Sequence, residues 1–207
     1  MNEKFFNLSQ EKQQRIINAG YRVFSQNNYK KSPVGEVAAE AGISKSLLFH
    51  YFRNKKELYL FLWDEAGRLT LEALEEEGCY EHTDLFEMMN LGFRAKMKLM
   101  RGYPDLTGFV MKAFYEKEPE IASAIQERYA MVSKDSVEPA FKNLRYENFR
   151  PDLDFNMIIR EMFLATEGYL WEELQKGELD LDKMERDFKE LLVFWKKVYT
   201  VQVEAEE

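Results

Sequence analysis

Residues 33–56, PVGEVAAEAGISKSLLFHYFRNKK, carry the reading that decides the fold. They predict two short helices joined by a tight turn, with a further helix starting directly after them. Ala38 and Ala41 are small enough for two helices to cross closely. Gly42 can adopt the left-handed backbone that ends the first helix. Ser44 then caps the second helix by accepting a hydrogen bond from a backbone N–H near Leu47. That second helix, Lys45 to Tyr51, is too short to be stable alone. Its outward residues are cationic, hydroxylic and aromatic, which is the chemistry of a helix laid in a DNA major groove.

Outward from this stretch, helical periodicity continues in both directions. The spacing of Ile16, Ile17, Ala19, Val23 and Phe24 predicts a helix from about Ser9 to Asn27, with Ser9 as cap and Glu11 near the positive helix end. The next helix starts near Ser32-Pro33, where Pro suits a first turn, and turns Val34, Val37 and Ala38 inward. Asn54 caps a longer helix over Lys55 to Glu77, with Leu58, Phe61, Leu62, Leu69 and Leu74 on its apolar face. Beyond Gly78, helices are expected near Asp84–Arg101, Asp105–Lys117, Pro119–Leu144, Asp152–Lys176 and Leu181–Val203. Gly102-Tyr103-Pro104, Glu118-Pro119, Asn148–Pro151 and Gly177 separate them. No alternating apolar pattern suggests strands, so the expected class is all-α.

The first 60 residues hold ten Lys/Arg and five Asp/Glu, a balance of +5, whereas the remainder holds 19 against 32, a balance of −13. A basic end on an acidic chain points to phosphate contact at that end alone. With 207 residues, 45% of them hydrophobic, the chain can bury a substantial core. Its apolar runs fall short of a membrane span, and its start lacks the apolar region of a secretion signal. The single Cys79 excludes an intrachain disulfide, and a cytoplasmic location is the expectation. The sequence has no glycine-rich phosphate loop and no GxSxG elbow. Two histidines, His50 and His82, and one cysteine are too few for a common zinc site. A Cys79–His82 dyad would lack an orienting group. The expectation is therefore no enzyme, no cofactor and no metal.

The N-terminal residues resemble the DNA-binding domain of the tetracycline-repressor (TetR) family. The resemblance rests on Ile-Ile-x-Ala-x-x-x-Phe at Ile16 to Phe24 and on Val34-x-x-Val-Ala. Its most specific part is Ala41-Gly-Ile-Ser-Lys-Ser-Leu-Leu-Phe-His-Tyr-Phe-x-Asn-Lys-Lys-Glu-Leu, ending at Leu58. It covers a quarter to a third of the chain, and beyond it the match is only in length and helical character. The resemblance implies a helix-turn-helix domain over residues 1–54 and a helical effector-binding and dimerisation domain over 55–207. It implies that Ser32 meets phosphate, that Ser44, Lys45, Ser46 and Leu47 approach base edges, and that Phe49 and His50 extend that contact. Tyr51 would reach a phosphate through its hydroxyl, and Lys55 would pair with another at a helix start. Leu48 and Phe52 should pack inward. Two residues depart from the family pattern. Leu47 stands where Thr is usual, so an apolar contact with a thymine methyl replaces a hydroxyl there. Gly35 stands where a basic or polar residue is frequent.

Family membership would also imply sites in the remainder. Family members typically bind a small effector among the middle helices, which here are rich in Met and aromatics able to line an adaptable pocket. The candidates are Phe93, Met97, Phe109, Phe114, Phe163 and Glu167. Two apolar C-terminal helices would meet their copies in a homodimer, with Phe155, Ile159, Tyr169, Leu170, Leu192, Trp195 and Tyr199 as candidates. A two-fold dimer places two heads about 34–36 Å apart on successive major grooves. The expected function is a ligand-responsive regulator, more simply a repressor, of a pseudo-palindromic double-stranded DNA operator, with an unidentified small-molecule effector and no membrane partner. The alternative is a helical small-molecule-binding or protein-interaction module with a vestigial DNA-binding head.

Overall fold

The computed structural model describes residues 3–177 and 179–201, with the side chains of residues 137 and 138 outside the description. Among these residues the regular elements are helices, in the order α1 (Gln10–Gln26), α2 (Val34–Glu40), α3 (Lys45–Tyr51), α4 (Lys55–Glu76), α5 (Leu85–Gly102), α6 (Leu106–Phe114), α7 (Pro119–Val132), α8 (Glu138–Lys142), α9 (Phe155–Gln175) and α10 (Leu181–Tyr199). The all-α expectation holds, since β pairing among the described residues is confined to an isolated bridge between Phe149 and Thr200. The chain divides into two compact units. One comprises Met1–Ala73 with Lys98–Pro139, the other Leu74–Met97 with Ala140–Glu207. The first therefore includes α6 and α7 beside the three N-terminal helices.

The first unit has a continuous core built on α1, α4 and α6. The periodic residues of α1 that predict its buried face, Ile16, Ile17, Val23 and Phe24, are all buried, as is Tyr21 between them. Phe109 of α6 lies against Tyr21, Phe24 and Tyr59 with ring centroids 5.3, 6.3 and 5.1 Å away. Each such aromatic pair adds about 0.5–1.5 kcal/mol beyond the area it removes from water. The Tyr21 hydroxyl, buried with them, donates to the Leu62 carbonyl at 3.2 Å. Burial raises its pKa.

The helix ends follow local chemistry, with two exceptions. Gly42 takes φ +66°, and the Ile43 and Gly42 N–H groups donate to the Ala38 and Ala39 carbonyls at 2.9 and 3.0 Å. That double bond is the left-handed helix stop expected of a glycine there. Asn54 Oδ1 accepts from the Glu57 N–H at 2.9 Å, capping α4. Ser9, by contrast, occupies the cap position of α1 with no side-chain capping bond. The Gln13 side chain instead ties the preceding turn by donating to the Phe6 and Leu8 carbonyls at 3.2 and 2.8 Å. The helix predicted over Pro119–Leu144 is also not continuous. It breaks into α7, a wide π turn over Ser133–Val137, and the short α8. Pro139 explains the break, because it offers no N–H to the residue four positions earlier and its ring crowds that carbonyl.

The second unit is held by α5, α9 and α10. Phe93 stacks on Phe188 at 3.9 Å with ring planes 7° apart, and Phe188 meets Trp195 edge-on at 6.2 Å. Phe149 lies between Phe86 and Phe155 at 5.4 and 4.9 Å. The Arg150 and Val201 N–H groups donate to the Tyr199 and Asn148 carbonyls at 2.8 and 3.0 Å, pinning the end of α10 to the segment before α9.

Two helical glycines illustrate opposite constraints. A Cβ at Gly20 would lie 2.5 Å from Leu62 Cδ1 and 3.4 Å from its Cγ, and Leu62 is fully buried, so its side chain would have to shift within the core. A Cβ at Gly35 would meet nothing within 4 Å. Gly20→Ala should lower the unfolding free energy by about 1–2 kcal/mol, the overpacking cost exceeding the helix-propensity gain. Gly35→Ala should raise it by up to about 1 kcal/mol. Urea unfolding followed by circular dichroism compares the two, and a destabilised Gly35→Ala would contradict the open environment.

Candidate nucleic-acid interface

The local sequence builds α3 as a presented helix. The Ser44 hydroxyl accepts from the Leu47 N–H at 3.1 Å, so the cap fixes the first turn. Leu48 and Phe52 are buried and hold the helix against the core, as their positions predict. Ser44, Lys45, Ser46, Leu47, Phe49 and His50 are exposed together on the outer side. Lys45 Nζ lies 5.9 Å from the Phe49 ring centroid, a cation over an aromatic face. Leu47 and Phe49 each keep 37% of their surface exposed, an apolar content with no structural need on a seven-residue helix. The cationic, hydroxylic and apolar groups of this face are those that read base edges.

The flanking candidates are placed less openly. Tyr51 is only 8% exposed, its ring packed against Phe5 at 6.1 Å. Ser32 is 1% exposed and its hydroxyl donates to the Asn28 carbonyl at 2.9 Å. A phosphate contact through that hydroxyl would require giving up an internal bond. Lys55 Nζ donates to the Lys30 carbonyl at 3.3 Å and sits 4.8 Å over the Tyr29 ring. Partial burial lowers its pKa, against the attraction of Glu116.

The segment between α6 and α7 and the first turn of α7 meet the N-terminal helices through charge. Lys30 pairs with Glu118 at 2.5 Å, and Lys56 pairs with Glu120. Glu116 accepts from the Tyr29 N–H at 2.7 Å and from the Lys117 and Glu118 N–H groups. Burial pushes its pKa up, but these backbone bonds outweigh it and hold the carboxyl below its ordinary value. The partners of Tyr29, Lys30 and Lys56 are not visible as a pattern in the sequence, because each lies more than sixty residues away.

The candidate pocket residues fall in both units. Phe109 and Phe114 belong to the first, where Phe109 is core and Phe114 touches Tyr115 and Tyr129, both at 5.1 Å. Phe93, Met97, Phe163 and Glu167 belong to the second. There Phe93 and Met97 are buried, Phe163 faces Phe141 at 5.7 Å, and Glu167 pairs with Lys96 at 3.6 Å. A shallow open cleft of about 450 Å³ is lined by Tyr169, Asp187, Glu190, Leu191 and Phe194, none of them a pocket candidate.

The dimer candidates divide by face. Leu170 and Trp195 are buried in their own chain, at 0% and 2% exposed, and so have no surface to offer a second copy. Phe155, Ile159, Tyr169, Leu192 and Tyr199 are half-buried. The exposed apolar stripe of α9 is instead Met157, Leu164 and Trp171, spaced seven apart, beside Val193 and Phe194 of α10. Periodicity alone could not choose the face because α9 is apolar on both sides. Exposed large hydrophobics at helical spacing were the missing signal.

Cys79 is buried, and burial, then the Glu77 charge, push its thiol up to about 11. No group of three or more His, Cys, Asp or Glu able to hold a metal ion occurs among the described residues. Among those residues, no helix is long and apolar enough to cross a membrane.

Comparison with known proteins agrees with this geometry. Residues 16–61 match the model of bacterial regulatory proteins of the tetR family. The fatty acid metabolism regulator protein of Bacillus subtilis is 32% identical over 66 residues, which are 32% of this chain and 34% of that protein. The AcrR transcriptional regulator of Shigella flexneri is 31% identical over 68 residues, 31% of this chain and 32% of its own. The chain thus matches about a third of the length of these curated relatives. Over most of the chain the fold is that of solved regulators. KstR2 of Mycobacterium tuberculosis superposes with a TM-score of 0.67 at 17% identity, covering 94% of this chain and 97% of its own. FadR of Bacillus subtilis, solved in complex with stearoyl-CoA, gives 0.58 at 22% identity, covering 86% and 96%. Residues 16–61, with the helix-turn-helix they build, thus match the tetR family of bacterial regulatory proteins, while the likeness over the rest of the chain is one of fold.

Proposed function

We propose that the protein is a ligand-responsive transcriptional regulator, a repressor in the simplest reading, that binds a pseudo-palindromic DNA operator as a homodimer. The observation that carries it is α3, a capped helix that buries Leu48 and Phe52 while exposing Lys45, Ser46, Leu47, Phe49 and His50 on one side. In this reading residues 1–54 meet DNA, and residues 55–207 bind the effector and form the dimer. Ser44, Lys45, Ser46 and Leu47 face base edges. Tyr51 and Lys55 flank them at the backbone, where Ser32 also lies.

The ligand response follows from packing. Phe109 ties α6 to Tyr21 and Phe24 of α1 and to Tyr59 of α4. A displacement of α6 cannot leave α1 and α4 unmoved, because close-packed aromatics transmit it. An effector acts if it binds more tightly to the arrangement whose heads are wrongly spaced for DNA. The Met- and Phe-rich middle helices favour an apolar molecule. Stearoyl-CoA, the ligand of the Bacillus subtilis neighbour, is a suitable first probe. Dimerisation has a natural surface in Leu164 and Phe194 with their exposed apolar neighbours.

DNA binding, assembly and effector response each test the reading. Selection from a random duplex pool by the purified protein should enrich a two-fold symmetric sequence; no enrichment would sink it. On that duplex, Lys45→Ala should reorder the preference among sequence variants. Lys55→Ala should weaken binding to all of them and lower the log–log salt slope by about 0.9 per head. Leu164→Glu with Phe194→Glu should convert a dimer to a folded monomer in sedimentation equilibrium and weaken operator binding at least tenfold. A dimer surviving both charges would place the interface elsewhere. Addition of an apolar effector found by thermal shift, with stearoyl-CoA tested first, should release the operator. A ligand that raises the melting temperature yet leaves DNA binding unchanged would contradict the coupling.

A further inference from the structure

The segment ahead of α1 is built into the reading head. Phe5 is fully buried, with its ring 6.1 Å from Tyr51, 5.2 Å from Phe52 and 5.1 Å from Phe61. The Phe6 and Asn7 N–H groups donate to the Glu3 carbonyl at 3.1 and 3.3 Å, and the Leu8 N–H donates to the Phe5 carbonyl at 3.1 Å. Gln13 closes the same turn by bonding the Phe6 and Leu8 carbonyls. One buried ring and a set of backbone bonds thus fix residues 3–8 against the C-terminal end of α3. Lys4, between them, is exposed, and its Nζ lies 3.1 Å from Nε2 of His50.

We propose that Lys4 is a further DNA-contacting residue of the head, a phosphate ligand carried by a pinned N-terminal segment. The inference rests on the reading of α3 as the helix that faces DNA. An ammonium has donors only, so Nε2 of His50 is the acceptor in this contact. An ammonium carries three N–H donors, so bonding the ring does not prevent it from meeting a phosphate oxygen as well. Position selects that acceptor. Recognition helices present their N-terminal residues to base edges, whereas the opposite end approaches the sugar–phosphate backbone. Lys4 stands at that opposite end, beside His50. A lysine is a compact point charge suited to phosphate and lacks the planar fork that reads guanine. The anchoring by Phe5 means that the ammonium is positioned before binding, so little ordering cost is left for the complex.

The test uses the full chain and the duplex enriched by the wild-type protein. Affinity is measured across a range of salt concentrations for wild type, Lys4→Gln, Lys4→Arg, and Lys4→Gln in a His50→Ala background. Lys4→Gln should weaken binding several-fold whatever the sequence. It should flatten the log–log salt slope by about 0.9 for each phosphate that is no longer neutralised, hence by about two across both heads. Lys4→Arg should retain the wild-type slope, which also shows that the segment tolerates substitution. The weakening should persist in the His50→Ala background. A slope unchanged by Lys4→Gln while the wild type still binds overturns the proposal. So does a weakening that disappears when His50 is absent, because Lys4 would then act only by positioning that ring. A wild-type protein that enriches no duplex fails at the earlier step, the reading of α3 itself.

Discussion

A seven-residue helix has no stability of its own, and every property of the reading head depends on how α3 is held. Two burials do most of the holding. Leu48 is fully buried and Phe52 nearly so, each contributing about 1.5–3 kcal/mol relative to exposure. The Ser44 cap adds roughly another 1 kcal/mol and sets the direction in which the helix leaves the turn. With the inner face committed, the outer residues are displayed by default. Phe5 completes the arrangement from the other side by packing on both Phe52 and Phe61, so the chain start becomes part of the support.

That support is itself conditional on α1 and α4. Gly20 lets α1 approach Leu62 more closely than any residue with a Cβ could. The close approach brings Tyr21 and Phe24 within reach of Tyr59 and Phe109. Core packing of this density deforms by discrete rearrangement more readily than by gradual give. The same contacts that make the head rigid therefore make it responsive to α6. In the proposed function, rigidity and the ligand response would share this one cluster of aromatic rings.

How much of this was legible depended on how local the cause was. The Gly42 stop and the caps of α3 and α4 could be read directly, since each arises within a few residues of chain. So could the inward turn of Leu48 and Phe52. The break before α8 was legible in principle from Pro139, whose missing N–H acts four residues upstream. The burial of Ser32 was not legible, because only the loop geometry turns its hydroxyl toward the Asn28 carbonyl. The outward face of α9 was not readable, because Leu170 on one side and Leu164 on the other are equally apolar. Phe5 and Lys4 gave no periodic signal at all. Their meaning comes from residues 46 or more positions away.

The charge balance illustrates the difference between counting and placing. The N-terminal 60 residues carry an excess of five positive charges, yet the structure does not leave them all equally available. Lys30 and Lys56 sit on Glu118 and Glu120, and Arg22 pairs with Glu40 at 3.5 Å. These pairs are largely exposed, and such pairs contribute only about 0–1 kcal/mol each. A backbone phosphodiester carries one negative charge, as a carboxylate does, but it stands in a dense row of like charges and can displace a carboxylate from such weak pairs at small cost. In the proposed function, Glu118 and Glu120 would lower the attraction of the basic N-terminal residues for polyanions in general without covering α3. Lys45, at the start of α3, lies over the Phe49 ring instead of on a carboxylate, which in that function would bias binding toward DNA that α3 can read. An acidic protein with a basic head would, in that function, gain selectivity from the very carboxylates that reduce its attraction to DNA as a bulk polymer.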